Sequence, residues 1–258
     1  MWRRGLVTMA AAAAGAAGSG GARASASTGA AVAAGGSATT AAPVKVRIDV
    51  VSDTVCPWCF IGKRRLQTAL KSLAGKVEAE VVWHPFYLDP TTPAEGVDKL
   101  TRYREKFGAA RIGPMLEHMK RVGAAEGIAF SYDGTGKVAH TLNSHRLMEA
   151  AYEQGGAALQ DAVNEALFKF YFEREGNLGD KAALLGAVAG TGLDMARATA
   201  LLDGDEKKAE IAAAVRNYAA RYHITGVPYF IIDGKVGLSG AQEPDTFVDA
   251  IREATGVE

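Results

Sequence analysis

The chain has 258 residues, of which 48% are apolar and 22% are charged, so a well-filled globular core is expected. Lysine plus arginine and aspartate plus glutamate each number 29, and this neutral balance gives no reason to expect a nucleic acid or an anionic membrane as partner. Both cysteines, Cys56 and Cys59, lie within one four-residue segment, which excludes a fold held together by several disulfides.

The first 43 residues differ in composition from the rest of the chain. They are mostly Ala, Gly, Ser and Thr, and no acidic residue precedes Asp49. Such a segment buries too little apolar surface to offset its ordering entropy, so we predict a disordered leader over 1–43 and an ordered domain over 44–258. Its arginines and its lack of acids resemble an organelle transit peptide, which predicts a mitochondrial or plastid location. A secretory signal, or a tail without a targeting role on a cytoplasmic protein, is the alternative. No run is long and apolar enough to span a bilayer.

The ordered part begins with a β-α-β pattern. Residues 44–51 alternate between apolar and polar types and are rich in valine, which predicts a strand. Pro57 suits the first turn of a helix, and an apolar stripe continues that helix towards Gly75. Residues 78–83 are predicted to form a second strand. A β-α-β unit implies a right-handed crossover and a parallel strand pair.

The middle of the chain, residues 97–223, has almost no strand pattern. Glycines separate its helical patterns, as expected at helix ends. The predicted helices are Asp98–Phe107, Pro114–Glu126, Leu142–Gln154, Leu159–Arg174, Lys181–Val188, Asp194–Leu202 and Glu206–Tyr222.

The C-terminal part returns to strands. Asp233-Gly234 lies between two short apolar runs, residues 229–232 and 235–238, which is a strong hairpin signal. Pro244 then opens a last helix. Neither the first β-α-β unit nor this hairpin is stable alone, so both must share one sheet. The sequence therefore predicts one α/β domain, with a core formed by 44–90 and 224–258 and an all-helical insertion over 97–223.

The Cys-Pro-Trp-Cys segment at the start of the first predicted helix carries the chemistry. Free N–H groups and the positive end of the helix dipole favour a thiolate there, and cysteines in such settings can have a pKa of about 3.5–7.5. Cys56 is therefore the expected nucleophile, and Cys59, one turn later, the expected resolving thiol. Pro57 and Trp58 are expected to tune the thiolate and to contact substrate.

Two less reactive interpretations of the pair remain open. Zinc needs four ligands, but there is no second cysteine pair and the five histidines show no ligand spacing. Two buried, unreactive cysteines are the other alternative. A Cys-x-x-Cys pair between a strand and a helix favours redox chemistry over both, so we predict no metal site.

Four segments carry a resemblance to a known family. In combination they resemble the DsbA-like branch of the thioredoxin superfamily, and more narrowly its FrnE-type group, which includes 2-hydroxychromene-2-carboxylate isomerases. The family places a helical domain within a thioredoxin fold. The chain departs from the usual pattern at His84 and Ser144. The matching segments are Ser52–Gly62, Trp83–Leu88, Thr141–Leu147, and Gly226–Phe230 together with Ser239–Gln242.

The resemblance implies further site residues. It makes Pro228 a cis-proline that faces Cys56, and it gives the backbone of Val227 the role of pairing with an extended substrate beside the disulfide. It also suggests that His145 lines the cleft between the two lobes. Asp53, just before the active turn, is expected to cap the helix or to influence deprotonation of Cys59.

The leading functional prediction is a thiol–disulfide oxidoreductase that acts on protein or small-molecule thiols. Its redox group is its own disulfide, with no cofactor and with glutathione as a candidate co-substrate. One alternative is a glutathione-dependent isomerase or transferase similar to the kappa class. Those relatives typically have serine at the position of Cys56, so the retained cysteine pair argues against them. A non-enzymatic chaperone or binding protein is the other alternative.

Overall fold

The computed structural model describes residues 42–258. The predicted leader lies almost wholly outside the described residues, so the transit peptide and the organelle location that depends on it remain predictions. Among residues 42–258, no helix is both long and apolar enough to cross a membrane. The elements are β1 (Val44–Ser52), α1 (Pro57–Ser72), β2 (Val77–Pro85), β3 (Val97–Asp98), α2 (Lys99–Phe107), α3 (Ala109–Ala125), β4 (Lys137–Val138), α4 (Leu142–Glu173), α5 (Lys181–Val188), α6 (Met195–Asp203), α7 (Lys208–Arg221), β5 (Tyr229–Ile232), β6 (Val236–Ser239) and α8 (Pro244–Thr255).

The two ends of the chain share a four-stranded sheet, as predicted. Its strand order is β2-β1-β5-β6, with β1 parallel to β2 and antiparallel to β5. The register pairs Val51 of β1 with His84 on one side and Tyr229 on the other. This register brings the residues just before β5 beside the loop that follows β1.

Both faces of the sheet are covered. Val50 belongs to the main apolar cluster, which also includes Phe60 of α1 and Phe247 of α8. The next residue, Val51, points to the opposite face and packs with Ile224 in a smaller cluster near α7. Alternation along β1 thus fills two apolar layers. The main cluster continues into the helical insertion, so the inserted helices and the sheet share one core.

Helix α4 covers the free edge of β2, the outer strand of the sheet. The side-chain amide of Gln160 accepts from the Trp83 backbone N–H at 2.8 Å and donates to the Trp83 carbonyl at 2.9 Å. The Trp83 indole N–H donates to Asp161 at 3.0 Å. An unpaired sheet edge is a site for unwanted strand addition, and this side-chain clamp satisfies its backbone groups.

Ion pairs add a second connection between α4 and α1. Lys63 is almost fully buried and bonds to the Asp161 carboxylate, with Glu165 at 3.7 Å. Arg64 makes a two-pronged bond to Glu165. Burial lowers the pKa of Lys63, and the carboxylates of Asp161 and Glu165 oppose that effect. These contacts fix the insertion to the helix that begins at the cysteine pair.

The structure corrects the predicted helix boundaries at one place. Helix α3 begins at Ala109, five residues before the predicted start at Pro114, which lies inside the helix. Proline removes one intrahelical hydrogen bond, and this helix tolerates it at a solvent-exposed position in its first half. The predicted break between Gln154 and Leu159 is present, because Gly155 and Gly156 have non-helical dihedral angles within α4.

A short strand pair was not predicted from sequence. Val97–Asp98 and Lys137–Val138 form a two-residue antiparallel ladder within the insertion. A ladder of two residues is too short to leave an alternating pattern. The insertion is otherwise helical, and the α/β thioredoxin architecture with an inserted helical region matches the prediction.

Candidate active site

The cysteine turn joins β1 to α1. Cys56 is the residue that precedes the first turn of α1, and its backbone N–H donates to the Asp53 carbonyl at 3.0 Å. The Cys59 N–H donates to the Cys56 carbonyl at 3.0 Å. Pro57 lies in the first turn of the helix, where its missing N–H leaves no bond unmade. This local sequence therefore places both thiols at the N-terminus of a helix, as expected.

The two thiols differ in burial. Cys59 is 0% exposed and Cys56 is 3% exposed, whereas Trp58 between them is 38% exposed. Neither cysteine is in a disulfide. Burial raises the pKa of Cys59, as do a hydrogen bond with Cys56 and the charge of Cys56, while Ser52 and the Asp53 backbone oppose the increase. Cys59 therefore keeps its proton, and only Cys56 has any contact with solvent.

The loop before β5 completes the site from the other end of the chain. The Val227–Pro228 peptide bond is cis, as the resemblance implies. The Cys56 thiol donates to the Val227 carbonyl oxygen at 3.5 Å, across 171 residues of sequence. The pairing of Val51 with Tyr229 holds this loop against the cysteine turn.

A glycine on α1 allows this close approach. A Cβ atom on Gly62 would lie 3.0 Å from the Phe230 ring and 3.1 Å from Pro228 Cγ. Both distances are shorter than ordinary carbon–carbon contacts of about 3.5–4.0 Å. Gly62 therefore lets α1 pack directly against the loop that contacts Cys56. Sequence reasoning did not single out this residue, although it ends the first family-like segment.

The loop between β1 and Cys56 is held by polar contacts from the segment after β2 and from the insertion. Asp53 is buried, and its Oδ2 accepts from the Leu88 backbone N–H at 2.7 Å. The Thr54 and Ser144 hydroxyls share a hydrogen bond of 2.7 Å. Asp53 does not cap α1, because the helix start has no side-chain cap. Its carboxylate instead connects the cysteine loop to the segment after β2.

His145 lies behind this loop and not on an open surface. It is 3% exposed, and its Nε2 is 3.0 Å from the Phe86 carbonyl and 3.5 Å from Asp53 Oδ1. A carbonyl oxygen only accepts, so Nε2 carries a proton. In this position His145 supports the Asp53 loop. Its predicted contact with substrate remains a prediction that requires the ring to be uncovered.

Aromatic residues and helices of the insertion border the cysteine turn. The Trp58 ring centroid lies 6.4 Å from that of His118 on α3. The pKa of Tyr103 on α2 is raised to about 12, first by burial and then by the charges of Glu175 and Cys56, with a hydrogen bond from Tyr171 opposing. Helix α3 thus lies beside the cysteine turn, and α2 packs against α3. The sequence offered no signal for these contacts, because the residues lie about 50 positions away.

The described residues contain one cluster of acidic side chains whose oxygens lie close enough together to bind a metal ion, and this cluster does not include the cysteines. Glu149, Glu153 and Glu210 place their oxygens within 4.8 Å of one another. Lys207 forms ion pairs with Glu153 and Glu210, which reduces the negative charge of the group. The cysteine pair therefore lacks the additional ligands of a zinc site among residues 42–258.

Comparison with known proteins identifies the family. The DSBA-like thioredoxin domain profile matches residues 47–252. The chain belongs to the DsbA-like thioredoxin domain family. A crystal structure of a probable DsbA oxidoreductase, SCO1869 from Streptomyces coelicolor, is 31% identical, covers 81% of this chain and 89% of its own, and superposes with a TM-score of 0.74.

Two more distant solved structures share the fold. DsbM from Pseudomonas aeruginosa, described as a cytosolic disulfide reductase and solved with GSH, is 19% identical, covers 80% of this chain and 98% of its own, and has a TM-score of 0.56. A 2-hydroxychromene-2-carboxylate isomerase is 13% identical over 80% of this chain and 95% of its own, with the same TM-score. At these identities the two neighbours show that the fold is shared.

Proposed function

We propose that this DsbA-like protein is a thiol–disulfide oxidoreductase that uses Cys56 and Cys59 on protein or small-molecule substrates. The observation that carries the proposal is the arrangement of two free thiols at a helix start, with the Cys56 thiol 3.5 Å from the Val227 carbonyl beside Pro228. The difference in burial supports distinct roles, because the more accessible thiol must be the one that meets substrate.

In the reducing direction, the Cys56 thiolate attacks one sulfur of a substrate disulfide. A new S–S bond forms, the substrate S–S bond breaks, and one substrate thiolate leaves. Cys59 then loses its proton and attacks the Cys56 sulfur, which releases the second substrate thiolate. The protein has become oxidised by two electrons and the substrate reduced by two. The same steps in reverse oxidise a substrate dithiol.

The position of Val227 supports a role in holding the substrate. Its carbonyl faces the Cys56 thiol, so an extended chain whose cysteine is bonded to Cys56 meets the Val227 backbone. Backbone pairing of this kind accepts many sequences, because it reads main-chain groups and not side chains. Trp58, which is partly exposed beside the pair, supplies an apolar contact.

Trapping of a mixed disulfide tests these roles. In Cys59→Ser, the first step proceeds but the second does not, so intact mass spectrometry after exposure to disulfide-bonded insulin or glutathione disulfide should show a stable adduct on Cys56. Cys56→Ser is the matched control and should form no adduct, because its remaining thiol is fully buried. An adduct on Cys59 in the control, or none in Cys59→Ser with any disulfide, contradicts the proposal.

We also propose glutathione as a co-substrate. DsbM, which has the same fold, was solved with GSH, and this supports the idea at the level of fold. If glutathione serves as a thiol, it reacts with the Cys56–Cys59 disulfide and its binding requires the cysteines. A glutathione-dependent isomerase instead needs a non-covalent site. Calorimetric titration of the Cys56→Ser, Cys59→Ser double variant separates them, because tight binding there favours the isomerase.

A further inference from the structure

The helical pair next to the cysteine turn has an excess of positive charge. Residues 99–125, which form α2 and α3, contain seven basic and two acidic residues, a net charge of +5 in a chain whose net charge is zero. Lys99, Arg102 and Lys120 form ion pairs with Glu175, Asp89 and Glu117. The remaining four make no ion pair with any of residues 42–258 and are exposed; they are Arg104, Lys106, Arg111 and Arg121.

Two contacts fix the direction of α3 relative to α1. His118 lies beside Trp58 at the start of α1, and Glu126 at the end of α3 bonds to Arg65 at 2.6 Å. The two helices therefore run in the same direction, with His118 level with the cysteine turn. The part of α3 before His118 extends past the start of α1, beyond the cysteine turn.

Two of the unpaired cations, Lys106 and Arg111, lie at the end of the helical pair that extends past the start of α1. Arg111 precedes His118 by seven residues, which is two helical turns, so it shares the His118 face about 10 Å along the axis. Lys106 lies two residues before Gly108, which joins α2 to the start of α3, so it lies at the same end of the helical pair as Arg111.

We infer that Lys106 and Arg111 select a substrate that carries negative charge close to its reacting sulfur. The inference rests on the proposed redox function and adds a substrate class to it. Exposed cations attract such a substrate into the cleft and repel a cationic one, and both effects weaken as salt screens the charges. A solvated helix face without influence on the reaction is the competing explanation.

Three aliphatic disulfides of similar length and different charge test the inference. Dithiodipropionate is anionic, cystamine is cationic and hydroxyethyl disulfide is neutral. Each oxidises the reduced protein by the steps given above, and the rate is followed by acid quenching and intact mass. Comparing the ratio of anion to cation rate constants between variants cancels the intrinsic reactivity of each probe.

We take about 10 Å, the axial distance from Arg111 to His118, as the distance from each cation to the nearer charged end of a bound probe. At about 10 Å in water, one charge changes the local concentration of a monovalent ion about twofold. Two residues acting on probes of opposite sign therefore give about a tenfold change in the ratio at about 10 mM salt, where screening is weak. Lys106→Gln combined with Arg111→Gln should lower the ratio of dithiodipropionate to cystamine by that factor, and the wild-type ratio should fall as salt is added.

The control removes the same charge at a distance. Lys45 and Arg252 are exposed and lie at the other end of the sheet, so Lys45→Gln combined with Arg252→Gln should leave the ratio within about twofold. Equal effects of the two double variants, or a wild-type ratio that does not change with salt, overturn the inference while leaving the redox function intact. Failure of the wild type to react with neutral hydroxyethyl disulfide refutes the redox function itself.

Discussion

The clamp that Gln160 forms on the edge of the sheet offers a direct test of how the insertion is held. Gln160 is 1% exposed and bonds to both the N–H and the carbonyl of Trp83. Gln160→Met keeps the length of the side chain and removes both bonds. Each buried backbone group left unpaired costs about 1–3 kcal/mol, so we expect the loss of both bonds to lower the free energy of unfolding by about 2–6 kcal/mol.

The chain contains a matched control for this change. Gln154 on the same helix makes the same two kinds of bond, to the Gly192 carbonyl and the Asp194 N–H, both at 2.9 Å. This residue is exposed, so water replaces the lost bonds and Gln154→Met should cost about 1 kcal/mol or less. Urea unfolding with an unchanged m-value measures both. Losses that agree within about 0.5 kcal/mol would show that burial of the clamp does not matter.

Three further predictions concern packing, acid stability and a buried cation. Gly62→Ala should destabilise the protein and slow its reduction of hydroxyethyl disulfide, because the new methyl group meets Pro228. Gly186 on α5 has open space around it, so the control Gly186→Ala should stabilise the protein by about 0.5–1 kcal/mol in thermal unfolding. Burial raises the pKa of Asp89, but hydrogen bonds from Thr91 and Arg102 lower it by more, so the pKa falls from 3.8 to about 2. Its contribution to stability is therefore present above about pH 4 and is lost towards pH 2, so Asp89→Asn should flatten the pH dependence of the urea midpoint in that window; an unchanged slope contradicts it. Arg146 is fully buried and donates hydrogen bonds to the carbonyls of Leu201, Gly204 and Glu206, which hold the end of α6 in place. Arg146→Met should therefore speed amide hydrogen exchange in residues 201–206. Unchanged protection there would show that Arg146 does not stabilise this segment.

Local signals explain why the ends of the fold could be predicted from sequence. The alternation in residues 44–51, the proline after Cys56 and the Asp233-Gly234 turn each act on the residues next to them. Short-range sterics and hydrogen bonding decide these features, so neighbouring residues are enough to predict them. The same holds for the cysteine turn, whose two thiols lie one helical turn apart.

The contacts that complete the site depend on residues far apart in the sequence. Nothing near Gly62 reveals that Pro228 will pack against it, and nothing near Gln160 reveals the free edge of β2. The predicted start of α3 at Pro114 is wrong for a different reason, since proline favours the first turn of a helix but here lies in the second turn, at an exposed position. The predicted cleft role of His145 rested on resemblance, and the structure places this residue inside the protein.

Cys56 and Val227 are separated by 171 positions in the sequence, and this separation has a consequence for the newly made chain. At about 5–20 residues per second, the ribosome needs about 10–30 s to pass from one to the other. Throughout that interval β1 lacks its β5 neighbour, and both thiols lack the loop that later shields them. The nascent polypeptide thus carries an uncovered dithiol during most of its translation, and reductants or oxidants in the surrounding compartment reach it before the domain is complete.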